Sequence, residues 1–284
     1  MMMPGIFVLG MILLLLFPSD ASSAAYDALR IWGLDVVPSL FPYMVLCQAL
    51  SSALSGRRLV LRHAAVALGL LGGSPSGSAA LASAAEGAPM KRRRLFSLCA
   101  LTGTLSPMFF LGPLSAWTSP SIGRKLLLTH IGGALLASAL LYAAPGSAVS
   151  TPRSAAPLQP QERNPLMRSI HTVLSVGGCI VFFSAVSGCI RPLFPFLSES
   201  VLALLHAFSE ISGGMRAMAL LNLSADLRLV LMSAAAGLTG VSVLIQNLLF
   251  LGPLGISFST LLLIGALRAA CSAMIALFLN SALP

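Results

Sequence analysis

Glu210 lies in an apolar stretch, 200–222, where a carboxylate is costly to insert and therefore marks a candidate functional group. His206 stands four residues earlier, on the same face if the stretch is helical, which would allow a protonatable pair. Arg268, well inside the last apolar segment, could neutralise Glu210 or a bound anion. Each also has a plainer reading: a glutamate reaching interfacial water, a packed helix histidine, a snorkelling arginine. Thr239, Ser242 and Gln246 follow i, i+3, i+7 spacing and share one helical face, with Asn247 beside them. Thr102 and Ser106 align similarly, with Thr104 nearby and Pro107 breaking the helix. Ser74, Ser76 and Ser78 crowd a glycine- and proline-rich break, and Ser212 follows Glu210 in a second one.

Hydroxyls, amides and a carboxylate at membrane depth can bind a polar solute or a cation, or can hold helices together. Their occurrence at matched places in two halves of the chain favours a binding site. The candidate substrate-binding set is Ser74, Ser76, Thr102, Ser106, Glu210, Ser212, Thr239, Ser242 and Gln246, with His206 and Arg268 as charge partners. Enzyme signatures are missing: there is no phosphate loop, no His-Glu-x-x-His and no nucleophile elbow, since Gly73-Ser74-Pro75-Ser76-Gly77 carries proline at its centre. Cys47, Cys99, Cys179, Cys189 and Cys271 all fall in apolar segments without metal-finger or Cys-x-x-Cys spacing, so neither a disulfide framework nor a metal site is expected. No catalytic residue and no cofactor are expected.

The elements that must position these residues are membrane helices. Of 284 residues, 57% are hydrophobic and only 9% charged, and several stretches reach the ~20 residues a helix needs to cross a hydrocarbon core. The expected fold class is an all-α polytopic membrane protein, with the lipid bilayer as its surroundings. The net charge of +9 sits in short loops, where it sets topology rather than binding nucleic acid. Spanning helices are expected over 3–18, 36–54, 95–114, 125–143, 170–190, 229–252 and 258–280. The first, which lacks a basic flank, is expected to be retained rather than cleaved as a signal peptide.

Two further apolar stretches, 64–85 and 200–222, are interrupted at Gly72-Gly73-Ser74-Pro75-Ser76-Gly77 and at Ser212-Gly213-Gly214. Arg57, Arg58 and Arg62 precede the first, and Lys91 to Arg94 follow it, so both flanks should be cytoplasmic and the stretch a re-entrant hairpin. Asp20, Asp27 and Asp35 against Arg30 place an outer loop at 18–35 and the N-terminus inside. Residues 144–168, rich in Pro, Ser and Ala, read as a cytoplasmic linker. Four units follow: 1–35, an N-terminal helix and outer loop; 36–143, a first repeat; 144–168, the linker; and 169–284, a second repeat. Each repeat contains one helix, one re-entrant helical hairpin and two helices, one of them broken. Three crossings are odd, so the second repeat enters the membrane inverted. Phe110-Leu111-Gly112-Pro113-Leu114 returns as Phe250-Leu251-Gly252-Pro253-Leu254, and Thr102-Gly103 as Thr239-Gly240. Arg124 and Lys125 fall outside in this arrangement, against the larger clusters.

The segments Gly73-Ser74-Pro75-Ser76-Gly77, Leu105-Ser106-Pro107-Met108-Phe109, Glu210-Ile211-Ser212-Gly213 and Gly240 to Gln246, in this order, resemble the sporulation integral membrane proteins of the YlbJ type. That family belongs to the nucleoside-recognition or gate domains and is related to concentrative nucleoside transporters. The resemblance covers roughly residues 36–280. Pro75, Gly77, Glu210, Ser242, Gln246 and Arg268 match, whereas Ser74, Ala79 and Ser106 replace a tyrosine, a lysine and an asparagine. The resemblance implies a transporter-like protein of the cell membrane that moves a small polar solute or ion. It also implies a role in spore cortex formation, with a second copy or other sporulation membrane proteins as partners. The alternative is a non-transporting scaffold for sporulation proteins.

Overall fold

The computed structural model describes residues 3–54, 58–85, 90–144 and 164–282, and every element of secondary structure in these is a helix. The chain opens with α1 (Met3–Leu16) and turns at Phe17 into α2 (Pro18–Arg30). A π-helical turn, Ile31–Val36, carries α2 directly into α3 (Val37–Leu54). This corrects the outer loop expected at 18–35: Pro18–Leu54 is one helical run of 37 residues, roughly 55 Å long. The residues explain it. Pro18 occupies the first turn, Asp20 lies near the positive end of the dipole, Arg30 near the negative end, and four alanines between them favour helix. The aspartates thus mark the polar face of an amphipathic helix.

The next helices, α4 (Arg58–Gly72) and α5 (Ser76–Ala85), are joined by three residues and pack along each other. Then α6 (Arg92–Thr102) stops at Gly103, and the chain resumes as α7 (Pro107–Phe109), a π turn (Phe110–Leu114) and α8 (Ser115–Trp117). Ser106 caps the restart by accepting from the Met108 amide. The helix expected over 95–114 is therefore broken, at the place where Pro107 cannot continue the hydrogen-bond ladder. The run closes with α9 (Pro120–Ala143), which starts five residues earlier than expected because Ser119 caps it and Pro120 fits its first turn.

Beyond the linker, α10 (Pro165–Gly188) starts inside the expected 144–168 segment, capped by Asn164; most of that segment lies outside the described residues. A short α11 (Ile190–Leu193) leads to α12 (Glu199–Ser209) and α13 (Ile211–Leu220), which meet at Glu210 and pack along each other. The expected 229–252 helix is split into α14 (Ala225–Leu238) and α15 (Gly240–Leu251) by two left-handed residues, Thr239 (φ 71°) and Gly240 (φ 77°). A glycine adopts that conformation freely; a β-branched threonine does so only when its surroundings impose it. The chain ends in α16 (Phe258–Ala282). The two Phe-Leu-Gly-Pro-Leu copies differ in form: the first is a π turn within a helix, and the second ends α15 in a 3-10 turn.

Among the described residues, six helical runs are long and apolar enough to cross a membrane: Pro18–Leu54, Arg92–Trp117, Pro120–Ala143, Pro165–Leu193, Ala225–Leu254 and Phe258–Ser281. The expected span at 3–18 is not among them. Leucines and phenylalanines such as Leu16, Leu249, Leu263 and Phe278 are exposed, as a lipid-facing surface requires. The protein is a multi-pass membrane protein.

Helices approach closely where the sequence offers small residues. A Cβ on Gly69 would come within 2.5 Å of the Thr102 Cα, and one on Gly214 within 2.2 Å of the Ala207 Cα. These contacts lock α4 to α6 and α13 to α12, which matters because lipid supplies no hydrophobic force between helices.

Candidate functional site

The α4–α5 junction is pressed into the break between α6 and α7. The Ser74 amide donates to the Thr104 carbonyl at 2.7 Å, and the hydroxyls of Thr104 and Ser106 donate back to the carbonyls of Gly69 and Leu71, at 3.0 and 3.1 Å. Gly73, at φ 70°, lies where a Cβ would be 2.4 Å from the Ser106 nitrogen. Backbone groups freed by the broken helix are thus satisfied by the neighbouring helix pair. That is the condition for irregular backbone at membrane depth.

Glu210 does the equivalent work at the other junction. It is the N-cap of α13, its two carboxylate oxygens accepting from the amides of Ser212 and Gly213 at 2.8 and 2.7 Å. The helix dipole favours negative charge there, which is how a carboxylate 1% exposed is accommodated without a cationic partner. Both charge partners expected for it are placed otherwise. The His206 ring packs on Gly213 and its Nε2 is 3.3 Å from the Ser184 hydroxyl. Arg268 donates through Nη1 to the Gly103 carbonyl at 2.6 Å and through Nη2 to the Thr239 hydroxyl at 3.3 Å. The His206 ring and the Glu210 carboxylate both lie against Gly213, with the ring's hydrogen-bond partner being Ser184, and Arg268 is consumed by groups that the breaks expose.

Six of the nine candidate residues converge. Ser74, Ser106, Glu210, Ser212, Ser242 and Gln246 line one cavity of about 60 Å³, closed on its apolar side by α3 and α10. Ser242 is fully buried and its hydroxyl has no hydrogen-bond partner. Ser74 uses its proton on Asn247 and Ser106 uses its own on Leu71, so both present spare lone pairs. The lining therefore offers acceptors, one of them a carboxylate, together with donors in the Ser242 hydroxyl and the Gln246 amide.

Three candidates lie elsewhere. Ser76 lines a separate cavity of about 80 Å³ with Gln48, Arg168 and Thr172. Thr102 is buried and its hydroxyl donates to the Leu98 carbonyl. Thr239 serves Arg268.

Two supporting residues lie outside the candidate set: Asn247, noted in the sequence only as standing beside Ser242 and Gln246, and His130, which the sequence reading did not single out. Asn247 Oδ1 accepts from both Ser74 and Ser78, at 2.6 and 2.8 Å. His130, 1% exposed in α9, accepts at Nε2 from the Leu105 amide at 3.0 Å and so holds the first break. The rule applied to Glu210, an ionisable group in an apolar segment, would have flagged His130 as well. Compared with protein-family models, with curated proteins and with solved structures, the chain finds no match.

Proposed function

We propose that the protein is a carrier or gated channel of the nucleoside-recognition or gate type, moving a small polar solute or ion during sporulation. The carrying observation is the convergence of Ser74, Ser106, Glu210, Ser212, Ser242 and Gln246, from four separate segments, on one cavity. A buried carboxylate and an unpartnered buried hydroxyl facing the same space are groups that a ligand would satisfy.

The order of cavities supports passage. The helical run 18–54 and α10 both line three spaces in sequence: a recess of about 590 Å³ at Asp20 and Ser187, the central cavity at Met44 and Val176, and the 80 Å³ space at Gln48 and Thr172. The α12–α13 pair walls the first and the α4–α5 pair the last. Two short helix pairs, each followed by a broken helix, support the reading of re-entrant hairpins in an inverted repeat. In that reading the N-terminus is cytoplasmic, and the pairs move against the long helices to open the centre to one side at a time. At about 60 Å³ the centre is well below the ~300 Å³ of ordinary small-molecule pockets, so it represents an occluded state or an ion site.

Uptake into liposomes containing the purified protein, screened over nucleosides, dipicolinate and divalent cations, tests the reading. Glu210→Gln and Gln246→Ala should each lower uptake at least about ten-fold with normal insertion, and should reduce heat-resistant spores in cells. Unchanged spore counts in both variants at normal protein levels would favour a scaffold.

A further inference from the structure

The recess at the α12–α13 pair differs from the central cavity in size and in chemistry. Its lining carries three carboxylates, Asp20, Asp27 and Glu199, against one guanidinium, Arg191, which is paired with Glu199. Three of the chain's eight acidic residues thus face one space in a protein of net charge +9. Ser187 also lines it; the residue is 8% exposed, and its hydroxyl is buried without a hydrogen-bond partner. The apolar part of the lining comes from Ile190, Leu202, Leu220 and Leu221. At about 590 Å³ the recess falls within the range of metabolite-sized pockets.

We propose that this recess is a binding vestibule for an organic cation, an ammonium group on an apolar body, held by Asp20, Asp27 and the Ser187 hydroxyl. The charge imbalance attracts a cation and concentrates it, because low-dielectric walls focus the field of the carboxylates. The apolar wall excludes a bare hydrated ion from most of the contact area and receives the carbon skeleton instead. His206 lines the recess and packs on Gly213, whose amide holds Glu210 in the central cavity. A ligand touching His206 is therefore two contacts from the central carboxylate. The inference rests on the carrier reading for the direction of travel, and it narrows the solute class to organic cations.

The test is thiol labelling of the full chain in nanodiscs, with the five native cysteines replaced. Ser187→Cys should react faster with a trimethylammonium methanethiosulfonate than with its sulfonate counterpart, by on the order of ten-fold after correction for their rates with free thiol. Asp20→Asn with Asp27→Asn should abolish that preference, and tetraethylammonium should slow the labelling where potassium at equal concentration does not. Ser23→Cys, at an exposed position on the same rim, gives the same readout if the buried position does not tolerate the change. Equal corrected rates, a preference that survives loss of both aspartates, or protection by potassium and tetraethylammonium alike would overturn the proposal. Selective labelling in a protein that moves no solute would retain the vestibule and refute the carrier.

Discussion

Asn247 Oδ1 accepts hydrogen bonds from Ser74 Oγ at 2.6 Å and from Ser78 Oγ at 2.8 Å, so one amide oxygen in the second half of the chain holds the helix junction of the first half. Interhelical hydrogen bonds in membranes average about 0.6 kcal/mol. Asn247→Ala should therefore lower stability in detergent by about 1 kcal/mol. A double-mutant cycle with Ser74→Ala should show coupling of at least about 0.5 kcal/mol. Additive losses would show that the bond is not made.

Glu210 has two roles that substitutions can separate. Glu210→Gln leaves one oxygen to serve two amides and should cost about 1 kcal/mol through the weakened cap. Glu210→Asp retains a good cap but withdraws the carboxylate from the cavity. Thermal stability should thus fall more in the glutamine variant, while uptake falls in both. Uptake that follows stability instead would reduce Glu210 to a structural cap.

Arg268 ties the two breaks together, with Gly103 and Ala100 carbonyls at one end and the Thr239 hydroxyl at the other. Arg268→Met leaves those groups bare in a buried setting, and each unsatisfied acceptor costs ~1–3 kcal/mol. The expected result is poor accumulation of folded protein, measured by size-exclusion profile. Arg268→Lys should rescue it only in part, since an ammonium lacks the planar fork that spans both partners.

Gly214 and Gly178 form a matched pair for a packing test. A Cβ on Gly214 would sit 2.2 Å from both the Cα and the nitrogen of Ala207, whereas one on Gly178 meets nothing within 4 Å. Gly214→Ala should destabilise by ~1–3 kcal/mol through forced separation of α12 and α13. Gly178→Ala should stay within about 0.5 kcal/mol of the parent.

The hairpin topology has its own check. Val60, in the first turn of α4, and Lys91, just before α6, stand at the two ends of the α4–α5 stretch, and both are exposed. Cysteines at these positions should be labelled by a membrane-impermeant reagent from the same side. Labelling from opposite sides would refute the re-entrant reading.

Composition and hydropathy alone determined that the chain is an assembly of membrane helices, because long apolar runs without the alternation of barrel strands satisfy their backbone in lipid as helices. The junction at Gly73 to Pro75 and the break at Pro107 were also legible, since glycine and proline act locally on the backbone; the second junction falls at Glu210, whereas Ser212-Gly213-Gly214, where the interruption was expected, is helical within α13. The break at Thr239 was not legible: no local rule puts a β-branched residue at φ 71°, and only the surrounding contacts hold it there. The stretch 18–35 differs from the expected loop because its three aspartates find their surroundings only in the folded chain: Asp20 and Asp27 face the recess beside α10 and α12, and Asp35 accepts from the Trp117 indole. Spacing within one helix placed Ser242 and Gln246 together. It could not place Glu210 beside Ser106, or send Arg268 to Gly103 rather than to Glu210, because such contacts depend on which faces of distant helices meet. That choice belongs to close packing between small residues far apart in the chain, a property of the folded molecule.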